Sequence, residues 1–204
     1  MEEIESGGYI VGGYSSPAGA DFDAWILVLD TAGDIVWQKT YGDTDSDYVD
    51  AIIETADGGF LVAGETYSFG ANDSTWIFKI DSSGILQWEK LYDEAINNYP
   101  NSIEEFSDNS GYLLSGYGYD GVDDYGWAKK IDLTGNVIWE KKANLIEHLT
   151  QNGSGFLGLQ SYDSGIRISS FDSSFNSIWE KNYHPASGDW ANFILPAQGG
   201  GYVV

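Results

Sequence analysis

Trp76-Ile77-Phe78-Lys79-Ile80-Asp81-Ser82-Ser83-Gly84-Ile85-Leu86-Gln87-Trp88 is an apolar run, an Asp-x-x-Gly step and a second apolar run, with tryptophan at both ends. The same arrangement occurs at Trp25 to Trp37 (WILVLDTAGDIVW) and at Trp127 to Trp139 (WAKKIDLTGNVIW), and a decayed copy runs from Arg167 to Trp179 (RISSFDSSFNSIW). The tryptophans of the three good copies are 12 residues apart, and those copies follow one another every 51 residues. A period of about 40 to 50 residues signals a propeller, solenoid or array. Asp-x-x-Gly between two β-rich runs is a hairpin turn, in which glycine takes positive φ and aspartate bonds the turn backbone. The fourth copy has Phe175 at the glycine position, followed by Asn176, so a rebuilt turn is expected there.

Two further runs precede each unit. One is a glycine turn opening a short apolar strand: GGYIVGGY (Gly7 to Tyr14), GGFLVAGE (Gly58 to Glu65), SGYLLSGY (Ser110 to Tyr117), SGFLGLQS (Ser154 to Ser161) and GGYVV (Gly200 to Val204). The other is DYVDAIIETA (Asp47 to Ala56), with counterparts at Tyr99 to Ser107, Asn144 to Asn152 and Asp189 to Ala197. Each repeat therefore holds four short strands, A to D, which in the second repeat are expected over 47–55, 59–66, 75–81 and 85–92. Four antiparallel strands per repeat of this length make a β-propeller blade. The second-column residues Trp37, Trp88, Trp139 and Trp179 are expected to be largely buried between blades.

The Asp-x-x-Gly-x-x-x-Trp element, as in Asp81, Gly84 and Trp88, resembles the tryptophan-docking motif of quinoprotein-type (PQQ-like) propeller repeats, one residue shorter between Asp and Gly. With its DGGFLVAGE strand and YGDTDSDY linker, the whole repeat is more similar still to uncharacterised propeller repeats of bacterial or archaeal secreted and surface proteins. The resemblance spans nearly the full chain. It implies the fold and an extracellular or cell-surface setting. It brings no cofactor residues with it, so quinone chemistry is not expected.

Laid out in order, the blades are expected over about 1–42, 47–92, 99–142 and 144–183, with part of a fifth at 189–204, in one repeat domain. In a ring of four, the fifth A–B pair would compete with residues 2–14 for one place. The expectation is therefore an arc of four blades plus part of a fifth: a piece of a larger propeller, completed by the remaining blades of a longer parent or by a second copy. The N-terminus MEEIESGGYI has no basic start and reads as no signal peptide.

The 204 residues carry 32 acids against 9 bases, a net charge of -23. Such a surface repels phosphate backbones and anionic membranes, so nucleic-acid partners are not expected. It suits a bound cation or a basic partner. With no run of 18 apolar residues, membrane insertion is not expected, and with no cysteine there is neither a disulfide nor a thiolate metal site.

The A–B and C–D turns are short and uniform, whereas the B–C and D–A loops of the opposite face are longer and acidic. Binding usually resides in variable loops on a rigid scaffold. Ligand-face candidates there are Asp21, Asp23, Asp73, Asp123 and Asp124, with Tyr48 and Tyr99 as stacking surfaces for a protein or glycan ligand. Asp43-x-Asp45-x-Asp47 is the metal candidate, since alternating carboxylates can wrap Ca²⁺ and Glu54 falls at the twelfth position of an EF-hand-like count. A solvated loop in which Asp47 bonds the strand start is the plainer reading. Glu104 and Glu105 are neighbours on one strand and point to opposite faces, a poor acid/base pair. With no catalytic constellation, the chain reads as a non-catalytic scaffold or binding module that contacts its ligand through the acidic loop face. The alternative is a glycosidase- or lyase-like propeller enzyme using carboxylates of that face.

Overall fold

The computed structural model describes residues 1–16, 21–68, 74–92, 97–143, 146–162, 165–183, 191, 193–197 and 201–204. Among them there is no helix. Blade 1 is β1 (Glu2–Glu3), β2 (Tyr9–Ser15), β3 (Asp23–Leu29) and β4 (Ile35–Tyr41). Blade 2 is β5 (Asp47–Glu54), β6 (Phe60–Thr66), β7 (Ser74–Ile80) and β8 (Leu86–Tyr92). Blade 3 comprises β9 (Asn97–Glu105), β10 (Tyr112–Tyr119), β11 (Asp124–Ile131) and β12 (Val137–Ala143), and blade 4 comprises β13 (His148–Asn152), β14 (Gly155–Tyr162), β15 (Gly165–Phe171) and β16 (Ser177–Tyr183). Each is an antiparallel sheet in A-B-C-D order. A two-stranded sheet of β17 (Leu195–Pro196) and β18 (Tyr202–Val203) follows. The sheets do not close into a ring.

The inner strands of blade 2 are apolar on both faces because that blade lies between two others, whereas β3 of blade 1, with one neighbouring blade, alternates between buried and half-buried positions. Phe60 and Val62 pack towards blade 1, with Ile10, Ile26 and Val28. Leu61 and Ala63, one step out of phase, pack towards blade 3, with Leu114 and Trp127. Phe106, Leu113 and Phe156 join blades 3 and 4, and Leu157, Leu159 and Ile194 join blade 4 to the start of the fifth. Alternation places successive side chains on opposite faces, so a strand inside the stack reads as a continuous apolar run.

The hairpin turns form as the sequence requires. Asp81 Oδ1 accepts from the amides of Ser83 and Ile85, both at 2.9 Å, and Asp30, Asp132 and Asp172 repeat the pattern. The backbone bonds hold the carboxyls of Asp81, Asp132 and Asp172 below the usual range. The expected rebuilding of the fourth turn does not occur. Phe175 itself takes the left-handed conformation (φ 58) and its amide donates to Asp172 O as Gly84 does to Asp81 O. Left-handed backbone costs a non-glycine residue on the order of 1–3 kcal/mol. Burial compensates: Phe175 is 5% exposed and stacks on Phe171 at 4.2 Å and 7°.

The two tryptophan columns divide differently from expectation. The first-column Trp76 and Trp127, on the C strands, are 2% and 3% exposed. The second-column Trp37, Trp88 and Trp139 are half-buried, because they stand on outer D strands, and Trp179 is 39% exposed. Each C–D pair has a bulge that sets the second tryptophan opposite Val28, Lys79, Lys130 or Ser170. The indole then reaches sideways to the next blade's turn: Trp37 Nε1 donates to Ser82 O at 3.0 Å.

Candidate functional site

Strand A of each blade lines the axis, and two A strands carry a bulge at the same place. Val49 pairs with Gly64 and Ala51 with Ala63, so Asp50 is left without a partner in the ladder. Pro100 pairs with Gly116 and Ser102 with Ser115, so Asn101 is left out in the same way. A bulged residue is freed from the alternation and re-aimed. Gly64 makes the bend possible, since a Cβ there would lie 1.8 Å from Tyr48 O.

Both bulged residues line a cleft of about 660 Å³ between blades 2 and 3, on the B–C and D–A loop side. Glu65 and Tyr117, at the ends of the B strands, form its walls with Asp124 at the start of β11. Tyr99 and Tyr117 stack at 4.7 Å between ring centroids with 28° between planes, and Pro100 and Glu147 complete the lining. Glu147 is anchored by Ser161, whose Oγ donates at 2.7 Å and amide at 3.1 Å.

Asp50 remains open to solvent inside the cleft, but the surrounding protein wall pushes its carboxyl up to about 6. Burial raises the Tyr117 phenol as well, with help from the negative charges of Glu65, Asp50 and Asp124. The cleft is thus a concave acidic site with one stacked aromatic pair.

A second cavity of about 410 Å³ follows the axis between the A strands and includes Glu2, Asp50, Glu104 and His148. Burial and the charge of Glu2 push Glu104 up to about 7. Burial also raises Glu2 and lowers His148. Glu105 points away from Glu104, and its Oε2 accepts from the Ala56 amide of blade 2 at 2.8 Å.

Of the residues singled out from the sequence, the cleft brings together Tyr99 and Asp124. Tyr48 lies instead in an aromatic cluster over blades 1 and 2, edge-on to Tyr14 at 5.2 Å and to Tyr67 at 6.2 Å and tilted to Phe22 at 5.9 Å. Asp21 is exposed and Asp23 half-buried beside that cluster. Asp123 is an exposed turn residue whose amide donates to Asp120 Oδ1 at 3.1 Å. Asp73 lies outside the described residues.

Asp47 is fully buried, with its Oδ2 2.8 Å from Ser68 Oγ and 3.2 Å from the Asp43 amide, while Asp43 and Asp45 are exposed. Glu54 closes the opposite end of β5, about 20 Å away at the usual rise per residue, where it accepts from the Glu5 amide. The EF-hand-like count therefore does not describe one loop. Among the described residues, no group of three or more His, Cys, Asp or Glu is placed to hold a metal ion.

Sequence reading missed Asp50, Glu65, Asn101, Tyr117 and Glu147. The available signal was columnar: Asp50 and Asn101 share one repeat position 51 residues apart, each a polar residue at the same place in strand A.

No family model matches the chain, and no curated protein matches it. Among solved structures it is similar to the WD40 domain of Pan2 from Neurospora crassa, at 12% identity and a TM-score of 0.59, over 86% of this chain and 52% of that one. Sqt1 from Chaetomium thermophilum aligns at 15% identity and a TM-score of 0.44, over 80% of this chain and 39% of that one. The likeness to the Pan2 domain supports a propeller fold, and the chain spans about half the length of that domain. Neither comparison bears on the quinoprotein-type or surface-protein resemblance.

Proposed function

We propose that the chain is a non-catalytic propeller scaffold whose acidic B–C and D–A loop face binds a basic protein segment, in the secreted or cell-surface setting that the repeat resemblance implies. The observation that carries this reading is the cleft between blades 2 and 3. Asp50, Glu65, Asp124 and Glu147 surround a stacked tyrosine pair in a space of about 660 Å³. A lysine or arginine side chain meets both needs there, since its charge pairs with the carboxylates while its cationic head lies on a tyrosine face. The net charge of -23 steers such a ligand towards the protein from a distance. Glycan recognition uses the aromatic pair but not the charge.

Titration with fluorescent peptides of equal length and alternating lysine, arginine, neutral or acidic content tests the proposal. The basic peptides should bind, weaken as salt is raised, and lose about tenfold in affinity to both Asp50→Asn and Tyr117→Ala. Equal binding by the variants, or preference for a neutral oligosaccharide, rejects the assignment.

One observation favours a second reading, a glycosidase- or lyase-like enzyme. Asp50, raised to about 6, sits in a cleft lined by other carboxylates, the kind of disparity that separates a proton donor from its ionised partner. Turnover of an oligosaccharide that Asp50→Asn abolishes would decide for it.

A further inference from the structure

Blades 2, 3 and 4 each present one cross-strand row, from B to C to D, to the blade before them. In blade 2 the register sets Val62, Phe78 and Glu89 side by side. In blade 3 the same row is Leu114, Lys129 and Glu140. Both rows are filled. Val62 and Phe78 are fully buried against blade 1. Leu114 is fully buried against blade 2, and Lys129 lies over the Tyr92 ring of that blade at 4.6 Å. The carboxylate at the end of each row meets a donor from its own C strand. Glu89 Oε2 accepts from Trp76 Nε1 at 3.0 Å, and Glu140 Oε2 pairs with Lys129 Nζ at 3.2 Å.

Blade 4 has Gly158, Ser169 and Glu180 in that row. The junction between blades 3 and 4, two complete four-stranded sheets, therefore lacks the aliphatic and the long side chain that the other junctions hold. A cavity of about 390 Å³ remains there, lined by all three row residues, with Ile146, Phe171 and Phe175 as its apolar walls. Two lysines border it and are engaged elsewhere: Lys141 Nζ donates to Ser174 O and Asn176 Oδ1, and Lys142 Nζ pairs with Asp120 at 3.1 Å. Arg167, at the position of Trp76, donates to Asn182 Oδ1 at 3.0 Å and to Gln160 Oε1 at 3.5 Å. No donor among the described residues reaches the Glu180 carboxylate.

We propose that the cavity between blades 3 and 4 binds a small arylalkylammonium ion, its ring in the room left by Gly158 and Ser169 and its ammonium on Glu180. The two filled junctions specify both parts. Phe78 shows that the row admits an aromatic ring, and Trp76 and Lys129 show that the acid at its end takes an N–H donor. The ring meets the stacked pair of Phe171 and Phe175, in a space within the usual range of small-ligand sites, roughly 300–1,000 Å³. An anion has no such place, because the bordering lysines are committed and Glu180 repels it. The net charge of -23 raises the local concentration of a cation. The cavity shares no lining residue with the cleft between blades 2 and 3.

Calorimetric titration of the 204-residue chain with 2-phenylethylammonium tests the site, with butylammonium as a cation lacking the ring and 3-phenylpropionate as an anion of similar shape. The expected result is one saturable site per chain. Glu180→Gln should weaken it about tenfold, through loss of a hydrogen bond between charged groups. Ser169→Phe, which installs the residue of blade 2, should abolish binding and raise the melting temperature by filling the space. Asp50→Asn, which alters the other cleft, should leave binding unchanged, and both analogues should bind about tenfold more weakly or not at all. Glu180 lies on an exposed strand, so its substitution keeps the blade; if Ser169→Phe does not fold, Glu180→Gln and the analogues decide. The inference is overturned by absence of saturable binding, by equal binding of either analogue, or by binding that Glu180→Gln spares. Loss of binding in Asp50→Asn overturns it in favour of the cleft.

Discussion

The hold of one blade on the Asp-x-x-Gly turn of the next can be weighed by substituting one glycine position in two blades. Gly33 and Gly84 have almost the same backbone, φ +84 and +74, so alanine meets the same left-handed penalty at each, roughly 1–2 kcal/mol. Their surroundings differ. A Cβ at Gly33 meets nothing within 4 Å, whereas at Gly84 it lies 2.9 Å from Tyr41 Oη and 3.1 Å from both Trp37 Cη2 and Lys39 Cδ. The turn must withdraw from blade 1, which weakens the four bonds that Trp37, Lys39 and Tyr41 donate to its carbonyls. Part-exposed bonds of this kind contribute about 0.5–1.5 kcal/mol each, so losing two costs about 2 kcal/mol. Gly33→Ala should therefore destabilise by about 1–2 kcal/mol, combining the penalty above with an open site, and Gly84→Ala by about 3–4 kcal/mol on adding the lost bonds. Urea unfolding followed by far-UV circular dichroism measures both, provided the slope with denaturant is unchanged. Gly135→Ala, where the Cβ falls 2.8 Å from Trp88, should behave as Gly84→Ala. If all three variants cost the same within error, these bonds do not hold the blades together and the reasoning is wrong.

Other outcomes follow from the site and its charges. Glu104 and Asp50 have folded-state values raised to about 7 and about 6, so the folded chain holds protons that the unfolded chain releases, and stability should fall as pH rises from about 4.5 to 7. Glu104→Gln should flatten that fall in a melting series, and an unchanged slope counts against the axial pairing with Glu2. At the acid end, the depressed carboxyls of Asp81, Asp132 and Asp172 contribute stability that is lost as pH drops below about 4, so the melting temperature should peak near pH 4 to 5. Because Asp47 turns inward to Ser68, Ca²⁺ should raise the melting temperature no more than Na⁺ at equal ionic strength. A Ca²⁺-specific rise abolished by Asp45→Asn would restore the loop as a cation site. Phe175→Gly removes the strained left-handed residue but also the ring stacked on Phe171, and should still destabilise by about 1–3 kcal/mol, read from the shift in urea midpoint.

What the sequence alone determined is the repeat and everything local to it. Asp81, Gly84 and Trp88 with their copies declare hairpin turns at a fixed period, and the four apolar runs between them fix four strands per blade. These are short-range properties: glycine tolerates positive φ, aspartate bonds amides two and four residues ahead, and alternation puts neighbours on opposite faces. The loop face could be told from the turn face for the same reason.

Only the tertiary structure decided which residues share a cleft. Asp50 and Asn101 are exposed to it by bulges whose position depends on Gly64 and Gly116 in the paired strands, and Glu65 meets Tyr117 across a blade boundary. It also decided which tryptophans lie deep. Trp76 stands on a strand covered on both sides, while Trp88 stands on an edge strand with solvent beside it. Phe175 adopts the conformation of a glycine because its ring has a buried place to go, between Phe171 and Trp139. Register and burial arise between segments distant in the chain, and a single segment carries no record of what will face it.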